Sequence, residues 1–158
     1  MLYVNTHYVI ARILCRTACF ISSVPYNRIM HEVSVISNMV DAILRELDNY
    51  NVEKVETVNI LIGDLTSLGD EQLEFAYEIV TRGTVLEGSE IVIEHERVAV
   101  KCKECGYEGP AENLESDFFD HSIPVIACPK CGGGVDITAG QACRVRDLSI
   151  VEAEQCTN

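Results

Sequence analysis

Cys102-Lys103-Glu104-Cys105-Gly106 and Cys128-Pro129-Lys130-Cys131-Gly132 form two Cys-x-x-Cys pairs separated by 22 residues. A tetrahedral zinc ion held at about 2.3 Å per thiolate needs two tight turns, each presenting sulfurs from positions three apart. A glycine directly after each pair tolerates the left-handed backbone that such turns require. Redox dithiols of the thioredoxin kind need one pair at a helix start after a strand, not two matched knuckles. The four sulfurs of Cys102, Cys105, Cys128 and Cys131 are therefore read as one zinc site. Closed by four thiolates, it has no open position for catalysis, so its expected role is structural or the sensing of a partner's state. Cys143 reads as a small buried apolar residue of a late strand. Cys15, Cys19 and Cys156 lie toward the ends and receive no role.

A second constellation is Met30-His31-Glu32. Were a chain to start at Met30, its amine, the backbone nitrogens just after it and the His31 imidazole would offer a planar nitrogen set, which suits nickel(II) or copper(II) and not zinc. Local chemistry alone still favours a solvated surface histidine, and a cation at a helix start meets the positive end of the helix dipole. His95, between Glu94 and Glu96, reads as a strand residue. His121, within Asp117-Phe118-Phe119-Asp120-His121, is a loop residue with a minor claim to exchange with a cysteine.

The elements that carry these groups follow from periodicity. Ile36, Met39, Val40, Ile43, Leu44 and Leu47 recur at spacings of three and four, which predicts a helix over 32–50 with one buried face. Val58, Ile60 and Ile62 alternate with Thr57, Asn59 and Leu61 in a strand over 55–63. Asp70 is placed to cap a second helix to about Arg82, lined by Leu73, Ala76, Tyr77 and Val80 and stopped by Gly83. Strands are predicted over 91–100 and 142–151. Residues 101–136 hold the paired cysteines, many glycines and few large aliphatics, so a metal must supply their stability. The expected fold is α+β: two helices on a small mixed three-stranded sheet, with a zinc-ribbon-like subdomain inserted between two strands. The expected organisation is an extension over 1–29, a main α/β domain over 30–100 plus 137–153, a zinc subdomain over 101–136 and a tail over 154–158.

Charge narrows the function. Twelve basic against 25 acidic residues give −13 overall, which repels phosphate backbones and disfavours nucleic acid. Residues 1–29 carry Arg12, Arg16 and Arg28 and no acid, so the charge changes sharply at Met30. Arg12 and Arg16 break the apolar run that a signal peptide or membrane span needs. The segment reads as a disordered or amphipathic extension or translation from an upstream start, and the cysteine usage points to a reducing cytoplasm. No nucleophile-base pair or phosphate-cradling glycine loop points to an enzyme.

Met30-His31-Glu32-Val33-Ser34, Ile60-Leu61-Ile62-Gly63-Asp64-Leu65, Leu73-Glu74-Phe75-Ala76-Tyr77-Glu78, Val80-Thr81-Arg82-Gly83-Thr84 and both knuckles together resemble the HypA family of hydrogenase nickel-incorporation proteins, over residues 30 to about 153. The resemblance implies a nickel metallochaperone and not an enzyme. His31 is then the side-chain nickel ligand, with Met30 and Glu32 giving backbone nitrogens or a tuning carboxylate, and Cys102, Cys105, Cys128 and Cys131 hold structural zinc. It also implies work with a HypB-type GTPase and delivery to the large-subunit precursor of nickel-iron hydrogenase. The competing reading is a zinc-ribbon adaptor that binds a protein without handling nickel.

Overall fold

The computed structural model describes residues 8–11, 28–111 and 126–152. The elements run β1 (Tyr8–Ala11), α1 (Arg28–Leu47), β2 (Val52–Gly63), a short 3-10 turn (Asp64–Thr66), α2 (Asp70–Val80), β3 (Glu90–Glu96), β4 (Ala99–Cys102), β5 (Glu108–Pro110), β6 (Val135–Ala139) and β7 (Cys143–Glu152). They divide between a four-stranded sheet ordered β1-β7-β2-β3 and a three-stranded sheet ordered β5-β4-β6. Two compact units result. One holds both helices and most of the larger sheet; the other joins residues 62–67 to 95–142 and contains every paired cysteine.

The first unit follows its sequence pattern closely. Ile36, Met39, Val40, Ile43 and Leu47 of α1 are buried, as are Leu73, Ala76 and Tyr77 of α2 and Val55, Val58 and Ile60 of β2. α1 and α2 pack on each other. Tyr77 is accommodated in this core because its hydroxyl meets Ser89 Oγ at 2.6 Å, and burial nevertheless pushes the phenol pKa up from its ordinary value. β7 returns to the main sheet as expected, beside β2, with Val145, Leu148 and Ile150 buried.

Four details differ from the sequence expectation. The larger sheet has a fourth strand, since Tyr8–Ala11 pairs antiparallel with β7, Val9 opposite Ile150 and Ala11 opposite Leu148. α1 starts at Arg28, ahead of the expected boundary. The cap of α2 is Gly69, whose carbonyl accepts the Leu73 amide at 3.0 Å; no side chain caps the helix, and Asp70 sits in the first turn, where the dipole still favours its charge. The single strand expected over 91–100 is two strands, β3 and β4, in different sheets, broken at Arg97-Val98.

Backbone crowding in the second unit accounts for that break. Glu96 Oε2 accepts the Gly140 amide at 2.7 Å and the Ala142 amide at 3.3 Å, while Gly63 N donates to Ala142 O at 2.7 Å and Leu65 N to Gly140 O at 2.9 Å. A Cβ on Gly63 would lie 2.2 Å from Gly140 O, and one on Gly140 would lie 2.8 Å from Val98 Cα. Gly140 also has φ near +100°, a region L side chains avoid. Gly140→Ala is therefore expected to destabilise the protein by about 2–4 kcal/mol through combined strain and backbone clash. Urea unfolding followed by circular dichroism checks this, and a midpoint equal to the parent's would refute the crowding argument.

Candidate metal centre

Cys102 ends β4 and Cys105 lies in the turn after it; Cys128 and Cys131 flank the turn that leads, through Gly132–Gly134, into β6. Local backbone bonding shapes both turns. Cys102 N donates to Tyr107 O at 2.8 Å, Cys128 N to Gly133 O at 3.0 Å and Gly132 N to Cys128 O at 2.8 Å. Gly106 and Gly132 have φ of 72° and 71° with open space where a Cβ would stand, so conformation and not crowding requires glycine there. β4 then pairs with β6 from Ala99 to Cys102, and Lys103 N reaches Gly134 O at 3.2 Å. Pairing across the two knuckles is what brings the cysteine pairs together.

The four sulfurs lie within 4.8 Å of one another. Cys102 Sγ stands 3.6 Å from Cys131 Sγ, and Cys105 Sγ stands 3.6 Å from Cys128 Sγ. A tetrahedron with metal–sulfur bonds of about 2.3 Å has sulfur–sulfur edges of about 3.8 Å, whereas a disulfide needs about 2.05 Å. The cluster has the dimensions of a metal site. Amides reinforce it: Cys105 N points at Cys102 Sγ at 3.5 Å and Lys130 N at Cys128 Sγ at 3.4 Å, the direction that stabilises thiolate. Cys102 and Cys128 are buried and Cys105 and Cys131 exposed, so one side of the cluster opens to solvent.

Their protonation shows why a cation belongs among them. The Cys105 amide above all brings the Cys102 thiol down to about 7. Cys131, although the Gly133 amide favours its thiolate, is pushed up to about 12 by the sulfurs of Cys102 and Cys105 beside it. Several negative sulfurs cannot share this space unless a positive ion joins them. Metal uptake must then release protons, and each proton released makes the apparent affinity rise about tenfold per pH unit. Chelator competition between pH 6 and 8 is expected to show affinity climbing by at least about tenfold per unit; a flat profile would contradict thiolate ligation.

Around the cluster, Lys103 Nζ meets Asp136 at 2.8 Å and Lys101 Nζ meets Glu108 at 3.1 Å, and Lys130 Nζ lies 5.1 Å from the centre of the Tyr107 ring. Solvent screens these exposed contacts, so each contributes little. They trim the turns without determining them.

Residues 30–150 match the family model described as hydrogenase/urease nickel incorporation, metallochaperone, hypA. The chain belongs to the HypA family. A hydrogenase maturation factor HypA of Methanothermobacter thermautotrophicus is 38% identical over 122 residues, covering 77% of this chain and 97% of its own. One from Geotalea daltonii is 33% identical over 123 residues, covering 77% of this chain and all of its own. In fold the chain is similar to the solution structure of the Ni metallochaperone HypA from Helicobacter pylori, with TM-score 0.52 and 22% identity over 77% of this chain and 98% of that one. A second solution structure of a HypA protein gives TM-score 0.57 and 24% identity over 78% and 98%. The expected α+β fold with its metal-bearing subdomain is that of HypA. It is a maturation-factor fold carrying a four-cysteine cluster, and no described helix is long and apolar enough to cross a membrane.

The HypA segment Met30-His31-Glu32 is placed differently from its expected position just ahead of the first helix. These are the third, fourth and fifth residues of α1. Of their side chains only Glu32 is described: it is 2% exposed, and its Oε2 has no hydrogen-bond partner among the described residues. Sequence reasoning gave Glu32 a backbone or tuning role and did not foresee its burial, because a carboxylate in the first turns of an acidic amphipathic helix ordinarily faces water. His121, Cys15, Cys19 and Cys156 fall outside the described residues. His95 is exposed, with Nδ1 3.6 Å from an Asp64 carboxylate oxygen, and Cys143 is half-buried and not a core residue, since it is the first residue of β7.

Proposed function

We propose that this chain takes up nickel(II) at His31, with Met30 and Glu32 as accessory groups, and passes it to the large-subunit precursor of nickel-iron hydrogenase in the cytoplasm together with a HypB-type GTPase. Cys102, Cys105, Cys128 and Cys131 hold zinc as a structural ion in the unit of residues 62–67 and 95–142, and nickel is handled by the unit that carries both helices. No residue of the chain acts as a catalyst. The single observation that carries the nickel reading beyond family membership is the Glu32 carboxylate, buried with one oxygen lacking a partner among the described residues. An unsatisfied buried polar group costs about 1–3 kcal/mol, and more when charged, so Glu32 is held ready for a cation or for a nitrogen donor oriented toward one.

One observation favours the adaptor reading for the full-length chain. Because α1 begins at Arg28, the Glu32 amide lies beyond the first four N–H groups, the ones a helix leaves without intrahelical partners. A planar nitrogen site needs the Met30 amine and the amides after it free of the helix. With a peptide bond at Met30 in place of that amine, the full-length chain must both unwind the start of α1 and supply another donor, or the site forms only when Met30 is the first residue.

Complementation separates the two readings. In cells whose own HypA gene is deleted, the His31→Ala chain is expected to leave hydrogenase activity at less than about a tenth of the parent level, with recovery when excess nickel is added to the medium. Full activity of His31→Ala without added nickel would establish the zinc-ribbon adaptor.

A further inference from the structure

α2 has an apolar feature on the wrong side for a core. Leu73, Ala76 and Tyr77 are buried, yet Phe75 and Ile79 leave 58% and 42% of their surfaces in solvent. At about 100° per residue the two lie one turn apart and away from the buried stripe. The other exposed large hydrophobics among the described residues are Tyr50, in the turn after α1, and Ile137, in β6. Glu71 precedes Phe75 by one turn and Glu78 follows it by three residues; with Glu74 they make an exposed acidic rim, in which Glu78 also pairs with Arg82 at 3.0 Å.

We infer that this face of α2 docks a protein segment that presents an apolar side chain between Lys or Arg residues. An apolar centre surrounded by polar groups that exclude water is the layout of an interface hot spot, with the aromatic ring as its anchor. Charge selects the occupant. A second copy would set the same glutamates against one another in a two-fold contact, and −13 on each chain adds repulsion at longer range. Nucleic acid brings phosphates to carboxylates. A basic, apolar polypeptide gains at both the centre and the rim, and the rim accelerates its approach at low salt. The surface belongs to α2 alone, so the inference stands whether or not His31 binds nickel.

The test uses the full chain, loaded with zinc, and two synthetic amphipathic peptides of equal apolar content, one built from Leu and Lys and one from Leu and Glu. Amide chemical shifts map the binding, and fluorescence anisotropy measures its affinity. The Leu/Lys peptide is expected to perturb α2 around Phe75 and Ile79, to bind about tenfold or more weakly to the Phe75→Ser/Ile79→Ser variant, and to weaken as salt rises; the Leu/Glu peptide is expected not to bind. Both substituted positions are exposed, so the variant should keep the parent's circular dichroism, and Phe75→Leu, which retains an apolar anchor, should keep most of the affinity. Perturbation elsewhere, or equal affinity for the double variant, would overturn the proposal. So would a dimer in sedimentation that the double variant dissolves, which assigns the face to a second copy. A difference at Phe75 and Ile79 between the full chain and one starting at Met30 would overturn it too, by assigning the face to residues 1–29.

Discussion

Removing the metal from the four-cysteine cluster is expected to unfold the second compact unit while leaving the helices in place. That unit comprises residues 62–67 and 95–142, and its buried apolar side chains among the described residues, Ile62, Val98 and Val100 apart from the buried cysteines, are too few for an independent core. Structural zinc in small modules supplies about 10–16 kcal/mol of apparent binding free energy at neutral pH, which becomes folding free energy. Chelation, or Cys128→Ser, should therefore collapse the amide dispersion of residues 95–111 and 126–142. Resonances of Ile43, Leu73 and Val58 should persist. A second unit that keeps its dispersion after complete metal removal would show that its own packing suffices.

The second large effect concerns what stands before Met30. With a peptide bond at Met30 the amine donor is gone, and the His31 and Glu32 amides sit at the start of α1. Binding nickel in a planar nitrogen set then requires breaking helical bonds and finding a substitute fourth donor. A chain starting at Met30 is expected to bind nickel at least about a hundredfold more tightly than the full-length chain, about 2.7 kcal/mol. The full-length chain should also lose helical signal on nickel binding, and the shorter one should not. Equal affinity and equal donor sets in the two forms would show that the amine takes no part.

These expectations rest on features of unequal visibility in the sequence. The metal centre was legible because the cysteine spacing and the following glycines act locally: Gly106 and Gly132 adopt the left-handed backbone that the spacing demands, and the sulfurs converge once β4 pairs with β6. Both helices and the alternation of β2 were legible because burial imposes a period on them. The break between β3 and β4 was not, since it depends on Glu96 and Val98 meeting Gly140, more than 40 residues away along the chain. The same encounter explains why Gly63, the last residue of the predicted strand, must lack a side chain. β1 was hidden for another reason. Four apolar residues ahead of Arg12 carry no strand period of their own, and only the edge of β7 gives them a partner. Asp70 was misplaced by one position at a helix start because the Gly69 carbonyl already supplies the first helical acceptor.

The central claim is that His31 takes up nickel. Its most direct test is a nickel titration, followed by calorimetry and visible absorption, of zinc-loaded protein beginning at Met30, alongside the same protein with His31→Ala. The parent is expected to bind one tight equivalent with a planar-nitrogen spectrum, and the variant to lose it. Identical stoichiometry and spectrum in the two proteins would contradict that claim.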